Sequence, residues 1–284
     1  MQEKTIRTFH GATAIVTGGA SGIGRSLAKA LVDKGCEVII GDLQGDLARK
    51  VAEEISTPKA SVHAVELDTR DFHAMERLVQ NTVARSGRLD YMFNNAGIGM
   101  GGDAISHSSE DWQNIISINL CGLINGVLSA YPVMVRQGFG HIVNTASIAG
   151  IIPFAGMIGY TTAKHAVIGL SQSLRVEAAF SGVRVSVLCP GAVRTSILAD
   201  GGKFGRILYD VKSEKVLSMW EKFRPMEPDE VASKALKAVA KNTAIIVIPS
   251  WWKLVWGMHR LSPTLGMGLC RRTFVKMHEE LERS

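Results

Sequence analysis

Apolar residues along this chain fall into short continuous runs that alternate with stretches of three- and four-residue spacing. The runs at Ala12–Thr17, Cys36–Gly41, Ser61–Leu67, Leu89–Phe93, His141–Ala146, Val183–Leu188 and Ile245–Ile248 predict seven buried strands. Ile23–Lys34 carries Ile23, Leu27, Ala30 and Leu31 at helical spacing, and Leu47, Val51 and Ile55 mark a second helix. A third carries Met75, Leu78, Val79 and Val83. A long helix is predicted from Ser109 or Glu110 to about Arg136, interrupted or ended near Pro132. Tyr160–Phe180 and Asp229–Lys241 complete the helical set. Strands apolar on both faces, each followed by a helix, predict a parallel sheet covered on both sides. Right-handed crossovers make that sheet doubly wound.

Two regions break the rhythm. Ala192 to Pro228 is long, Gly-containing and weakly periodic, which suits a lid over a pocket. From Trp251 to Lys276 the chain holds five Lys/Arg and no Asp or Glu. There Trp251, Leu254, Val255, Met258, Leu261 and Leu265 recur at helical spacing, although Gly257 and Pro263 weaken one continuous helix. Packing on its own or a neighbouring subunit, over the pocket mouth or a dimer surface, is the favoured reading of this tail. The alternative is peripheral membrane contact through 251–276, since indole rings and interleaved cations suit a lipid interface. The expected organisation is a single catalytic domain over 1–250, with a lid insertion at about 192–228, and a C-terminal extension over 251–284.

Composition narrows the function classes. With 284 residues, 46% hydrophobic and 20% charged, the chain can bury one large core. The net charge of +6 comes without any run of five or six Lys/Arg, so nucleic acid is not an expected partner. Cys36, Cys121, Cys189 and Cys270 lie far apart and form no CxxC pair, as expected of reduced, mostly buried thiols in a cytoplasmic protein. No HExxH or other ligand spacing appears among the histidines, so no metal is expected. Met1 to Arg7 lacks an apolar signal core, and no apolar stretch of about 18 residues is read as spanning a bilayer.

Thr17-Gly-Gly-Ala-Ser-Gly-Ile-Gly24 sits where the first strand meets the first helix. Glycines allow a sharp turn and close approach to a pyrophosphate, and the helix N-terminus offers free N–H groups to it. Asp42 ends the second strand, 24 residues after Gly18, where a carboxylate can bind ribose hydroxyls and repel a 2′-phosphate. Capping of the next helix is its other use. Neither Ser21 nor Leu43 supplies the cation a 2′-phosphate needs, so NAD(H) is expected and NADP(H) disfavoured.

Tyr160-Thr-Thr-Ala-Lys164 places a phenol and an ammonium one helical turn apart. A phenol with a pKa of about 10 is a poor base near neutrality. A neighbouring ammonium and a positive nicotinamide ring are expected to draw that pKa down. Ser147, 13 residues earlier, ends a strand and can donate a hydrogen bond to a substrate oxygen.

The glycine turn, Asn94-Asn-Ala-Gly97, Asn119, Ser147, Tyr160-x-x-x-Lys164 and Pro190-Gly-Ala-Val-Arg-Thr195 occur in the order found in the short-chain dehydrogenase/reductase superfamily. Over about Gly11 to Ile248 the chain resembles the single-domain form of that family. The resemblance implies a doubly wound, Rossmann-like α/β domain of seven parallel strands that carries a C-terminal extension. Tyr160 resembles the general acid/base. Lys164 resembles the residue that holds the nicotinamide ribose, and Ser147 the one that polarises the carbonyl. Asn119 resembles a helix-distorting Asn that anchors a water relaying protons to Lys164. The cofactor contacts it implies are Gly18, Ser21, Gly22, Ile23 and Gly24 at the phosphates, Asp42 and Leu43 at the ribose, and Asp68 at the adenine. Asn95, Ala96 and Gly97 fall beside the adenosine half, and Pro190, Gly191, Val193 and Thr195 beside the carboxamide. A plain turn residue is the other reading of Asp68. Cys189 is read as a small buried hydrophobe. The family also implies a homodimer or homotetramer, built on the helices around Glu110–Arg136 and Tyr160–Phe180.

The pocket is expected from Ile148–Gly159, the residues after Thr195 and the loop near Ile98–Gly102. The first of these carries no charge, and the lid adds Ile197, Leu198, Phe204, Ile207, Leu208, Leu217, Met219 and Trp220. An apolar lining favours a lipophilic secondary alcohol or ketone. The rival from another class is an NAD-binding sensor that regulates a partner without turnover; the intact Ser147, Tyr160 and Lys164 set argues against it.

Overall fold

The computed structural model describes residues 5–282, so part of the N-terminal segment read for a signal lies outside the described residues. The element order is β1 (Thr13–Thr17), α1 (Gly22–Val32), β2 (Glu37–Asp42), α2 (Gly45–Ile55), β3 (Val62–Glu66), α3 (Phe72–Ser86) and β4 (Tyr91–Asn94). A two-residue strand β5 (Met100–Gly101) precedes α4 (Ser109–Ile116) and α5 (Gly122–Gln137). Then come β6 (Gly140–Thr145), α6 (Ile158–Ala178) and β7 (Val183–Pro190). The lid holds α7 (Ser196–Asp200), β8 (Arg206–Ile207) and α8 (Ser213–Glu221), and α9 (Pro228–Ala240) leads to β9 (Ile245–Ile248). The tail forms α10 (Trp252–Leu261) and α11 (Pro263–Glu282).

Seven strands pair in the order β3-β2-β1-β4-β6-β7-β9, all parallel. Successive residues of each strand feed opposite cores. Ala14, Val16, Val38, Ile40, Tyr91 and Phe93 pack with α1, α2 and α9, while Ile15, Ile39 and Met92 pack with α3, α5 and α6. The two-residue period of a strand thus explains why the runs are apolar at every position. The expected seven-stranded doubly wound sheet is what forms. The order reverses between β1 and β4, and the crevice beyond the carboxyl ends of these strands is where such sheets bind ligands.

Three expectations need correction. Pro132 neither interrupts nor ends the long helix, because α5 runs through it to Gln137. Pro132 and Leu128 both lie on the exposed face, so the carbonyl that the ring leaves unbonded can meet water. The distortion sits earlier, in a π-helical turn over Ser117–Cys121 that contains Asn119. Second, the Ser109–Gln137 helical stretch is apolar enough, at a mean hydropathy of 1.5 over an 18-residue window, to cross a membrane by length and composition. Half of that window is buried inside the fold, where Ile115, Leu123, Ala130 and Met134 fill the core. Third, only Cys36 and Cys189 are buried; Cys121 is exposed and Cys270 half-buried.

Candidate active site

The glycine turn is locked by close packing. Gly18 has φ +64°, and a Cβ there would stand 2.8 Å from the Ala96 Cα. At Gly24 a Cβ would stand 2.0 Å from the Gly18 carbonyl oxygen and 2.7 Å from Asn95 Nδ2. Neither position admits a side chain. Thr17 Oγ1 accepts from the Asn95 and Ala96 N–H groups at 3.0 and 3.1 Å, tying the turn to the segment after β4. Asn95 Nδ2 in turn donates to the Thr17 carbonyl at 3.2 Å.

The N-terminus of α1 opens onto a cleft of about 360 Å³. One end is bounded by Asp42, Leu43 and Asp68, the middle by Gly18, Ser21, Gly22 and Ile23, and the other end by Tyr160, Lys164, Pro190 and Thr195. Asn95, Ala96 and Gly97 form its floor. Gly24, Gly191 and Val193, expected among the contacts, do not line the cleft. Gly24 packs inside the turn, Gly191 faces the Trp252 ring, and buried Val193 bridges to Met226. Gln44, Thr69, Arg70, Asn114 and Lys203 line it without having been singled out, and no local pattern marks them.

Asp42 does not cap α2, whose N-cap residue is Gln44. Its carboxylate accepts from the Ala20 N–H at 3.0 Å and the Gln44 N–H at 2.9 Å, so it braces the glycine turn from the ribose end. Asp68 accepts two bonds from Arg70 Nε, at 2.9 and 3.0 Å, and one from Nη2 at 2.6 Å. That guanidinium holds the Asp68 carboxyl below the usual carboxylate range. A cleft with amide donors at a helix N-terminus in its middle and a nearly buried carboxylate at one end fits a dinucleotide.

Tyr160 and Lys164 project from the first turns of α6 beside the ends of β6 and β7. Lys164 Nζ donates to the Thr145 carbonyl at 2.9 Å and sits 5.5 Å from the centre of the Tyr160 ring. Burial lowers the Lys164 pKa to about 8, against a smaller opposing pull from Cys189. Burial also raises the Tyr160 phenol above its ordinary value, and hydrogen bonding to Ser147 only partly offsets this. The expected pull on the phenol joins the Lys164 ammonium to a positive nicotinamide ring; among the protein's own groups, burial raises the pKa by more than the Ser147 hydrogen bond lowers it. Ser147 itself is buried and accepts from the Ala149 N–H at 3.1 Å. Burial pushes the Cys189 thiol up to about 12, in keeping with an inert side chain.

Asn119 is fully buried, and its amide brackets the backbone of one residue, Ile98. Oδ1 accepts from the Ile98 N–H at 2.8 Å, and Nδ2 donates to the Ile98 carbonyl at 2.9 Å. The side chain is spent on the loop after β4, and the π turn around it brings that loop against Lys164: a Cβ on Gly97 would lie 3.1 Å from Asn119 Oδ1 and 3.6 Å from Lys164 Nζ.

The three segments expected to build the pocket do meet. β5 pairs with β8 through Met100↔Arg206 and Gly101↔Ile207. Gly99 donates to Gly201 at 2.7 Å, and Gly102 donates to Gly156 at 2.8 Å. Leu198 and Met219 of the lid are buried, whereas Phe204 and Leu217 stay exposed. The tail packs on its own chain. Trp252 is buried against Gly191 and stacks with Phe223 at 6.3 Å. The helical break falls at Ser262, with Pro263 starting α11, while Gly257 stays inside α10.

Comparison with known proteins identifies the family. The sequence profile of the short chain dehydrogenase family matches residues 12–203. Over 262 residues the chain is 31% identical to the Mycobacterium tuberculosis oxidoreductase EphD, covering 90% of this chain and 44% of that one. The chain thus spans less than half the length of these mycobacterial relatives. Cyclohexanol dehydrogenase of Acinetobacter sp. is 34% identical over 201 residues, 70% of this chain and 80% of that one. A short chain dehydrogenase/reductase from Burkholderia phymatum, solved in complex with NAD, superposes with a TM-score of 0.81 at 26% identity, covering 92% of this chain and 96% of that one. The chain belongs to the short-chain dehydrogenase family.

Proposed function

We propose that this protein is an NAD(H)-linked oxidoreductase that interconverts a lipophilic secondary alcohol and its ketone. Tyr160 and Lys164 at one end of a cleft that opens on the glycine turn, with Ser147 hydrogen-bonded to Tyr160, carry the reading. Cyclohexanol dehydrogenase and levodione reductase, 34% and 35% identical, are relatives whose names carry alcohol and ketone chemistry. Asp42 beside the glycine turn, with no cation at Ser21 or Leu43, favours NAD over NADP.

Bound nicotinamide supplies the hydride acceptor or donor. In the oxidative direction Ser147 holds the substrate oxygen and Tyr160 Oη takes the hydroxyl proton. In reduction Tyr160 returns that proton to the carbonyl oxygen. Lys164 holds the nicotinamide ribose and passes the proton on, and the Asn119 turn keeps the Ile98 loop in register beside it. Because burial raises the phenol more than Ser147 lowers it, a bound positive nicotinamide ring would supply part of the stabilisation that lets Tyr160 act as a base.

We place the catalytic unit at 1–250 and the lid at about 192–228, in a cytoplasmic homo-oligomer. The apolar Val176 and Phe180, 74% and 95% exposed on and just after α6, are the self-association surface we favour. For the tail, packing over the pocket is better supported than lipid contact. Leu254, Leu261 and Leu265 are nevertheless exposed beside cations, and co-sedimentation with anionic vesicles tests lipid contact directly.

The defining assay follows absorbance at 340 nm with a panel of alcohols and ketones, both cofactors, and Tyr160→Phe as control. Turnover with NAD(H) that vanishes in the variant upholds the proposal. Binding of NAD without turnover on any substrate favours the sensor, and preference for NADPH overturns the cofactor assignment.

A further inference from the structure

We infer that α11 is the outer wall of the substrate pocket, and that Phe274 and Met277 set the size of the apolar group it accepts. The inference rests on the alcohol/ketone reading above. Beyond the main cleft lies a separate cavity of about 50 Å³. Its lining is almost wholly apolar: Phe154 and Met157 from the segment before α6, Ile207 and Trp220 from the lid, and Phe274 and Met277 from α11.

The two cavities are strung along the same three segments. Ile98 lines the main cleft and Gly101 the small cavity; Tyr160 lines the first and Met157 the second; Phe204 lines the first and Ile207 the second. Three residues span at most about 10 Å of chain, so the small cavity neighbours the cleft on all three segments, Tyr160 included. A substrate whose oxygen meets Tyr160 and Ser147 would point its far, apolar end there. The space exceeds the roughly 30 Å³ that one water occupies in the liquid, and its walls offer a water few partners. A methyl or ethyl group matches it.

Helix α11 is pinned in place on this wall. His278 Nε2 lies 2.9 Å from Asp103 Oδ2, and the Tyr209 hydroxyl donates to Asp103 Oδ1 at 3.3 Å. Asp103 follows the β5 segment and Tyr209 follows β8, so one carboxylate joins the tail to both strands that frame the pocket. An ion pair between Lys222 and Glu280 adds a tie to the end of α8. Phe274 reaches the pocket segment itself, since a Cβ on Gly156 would lie 3.2 Å from its Cε2. A helix that served only to cover apolar surface would close on its neighbours. Here Phe274 and Met277 face open space across from Phe154 and Trp220.

The test uses the full chain with NADH and a series running from cyclohexanone to 4-pentylcyclohexanone. Phe274→Ala should raise kcat/KM for the pentyl ketone relative to cyclohexanone by about tenfold or more, and Phe274→Trp should lower that ratio, as changed pocket volume demands. If Phe274→Ala fails to fold, Met277→Ala and Phe274→Trp carry the same comparison. Ratios within about twofold of the parent in these variants overturn the wall assignment. Absence of turnover in the parent chain defeats the underlying reading instead. Hydrogen exchange with 4-pentylcyclohexanone and NAD then decides the wall by itself: slowed exchange at 274–278 upholds it, and unchanged exchange overturns it.

Discussion

The two ends of the active-site cleft are built on different principles. At the cofactor end the contacts are mostly backbone, made by one turn and two strand ends close together in the sheet. There a Cβ on Gly24 has 2.0 Å to the nearest oxygen, and Thr17 and Asp42 between them accept four backbone N–H groups. At the end proposed for substrate, side chains from three remote segments, 154–157, the lid and α11, meet around Gly101. The first arrangement has no slack, because backbone atoms cannot be moved by swapping residues. The second can be reshaped one side chain at a time, as a change of substrate within a family would require.

The largest effect belongs to the residue where the ends meet. Tyr160→Phe should cut kcat by about 10²–10⁴-fold while NAD affinity, read by titration calorimetry, changes only a few-fold. Comparable losses in affinity and rate would mean that Tyr160 belongs to the cofactor end alone. Gly24→Ala comes next. With no room for a methyl, it should lower stability by about 3 kcal/mol in denaturant titration and weaken NAD binding, and a neutral outcome would break the claim of a rigid cofactor end.

His141 tests the scaffold under both ends. It is fully buried in β6, bonds Ser186 at 2.8 Å, and burial lowers its pKa to about 3 from an ordinary 6.5. A lowered folded pKa means that its contribution is present above pH 6.5 and is lost as pH falls toward 3. Between pH 7 and pH 5 the parent should lose about 2 kcal/mol more than His141→Gln, measured as paired urea midpoints. Equal losses would show that the imidazole is not held neutral. The smallest shift is expected from Phe154→Ala, whose ring stacks on Trp220 at 5.7 Å. It should alter substrate preference yet leave the NAD dissociation constant within about threefold, and a larger change would join the two ends that the comparison separates.

Much of the cofactor end is legible from residue order, because its parts are local. A glycine turn at a strand–helix junction, a carboxylate ending the next strand, and Asn95 to Gly97 after β4 need only strand register to come together. Gly24, Gly191 and Val193 share the motifs but do not line the cleft, since each packs against its own neighbours. Pro132, the residue type that usually breaks helices, leaves α5 continuous, whereas the distortion lies at Asn119, the residue that the family resemblance marks as helix-distorting. Burial, which raises the Tyr160 phenol, is likewise not legible in spacing, which reports only the neighbouring ammonium.

The periodicity of apolar runs determined the doubly wound sheet, and the order of short motifs determined the family and part of the cleft lining, from Gly18 to Thr195. Both depend on neighbours within a strand or a turn, where the polypeptide leaves few choices. Tertiary structure alone decided that α11 returns to the pocket, that Asp103 meets His278 across 175 positions, and that Phe274 faces Trp220 over an apolar cavity. Those contacts depend on where the lid and tail come to rest against the sheet, and apolar packing has no direction that residue spacing could encode.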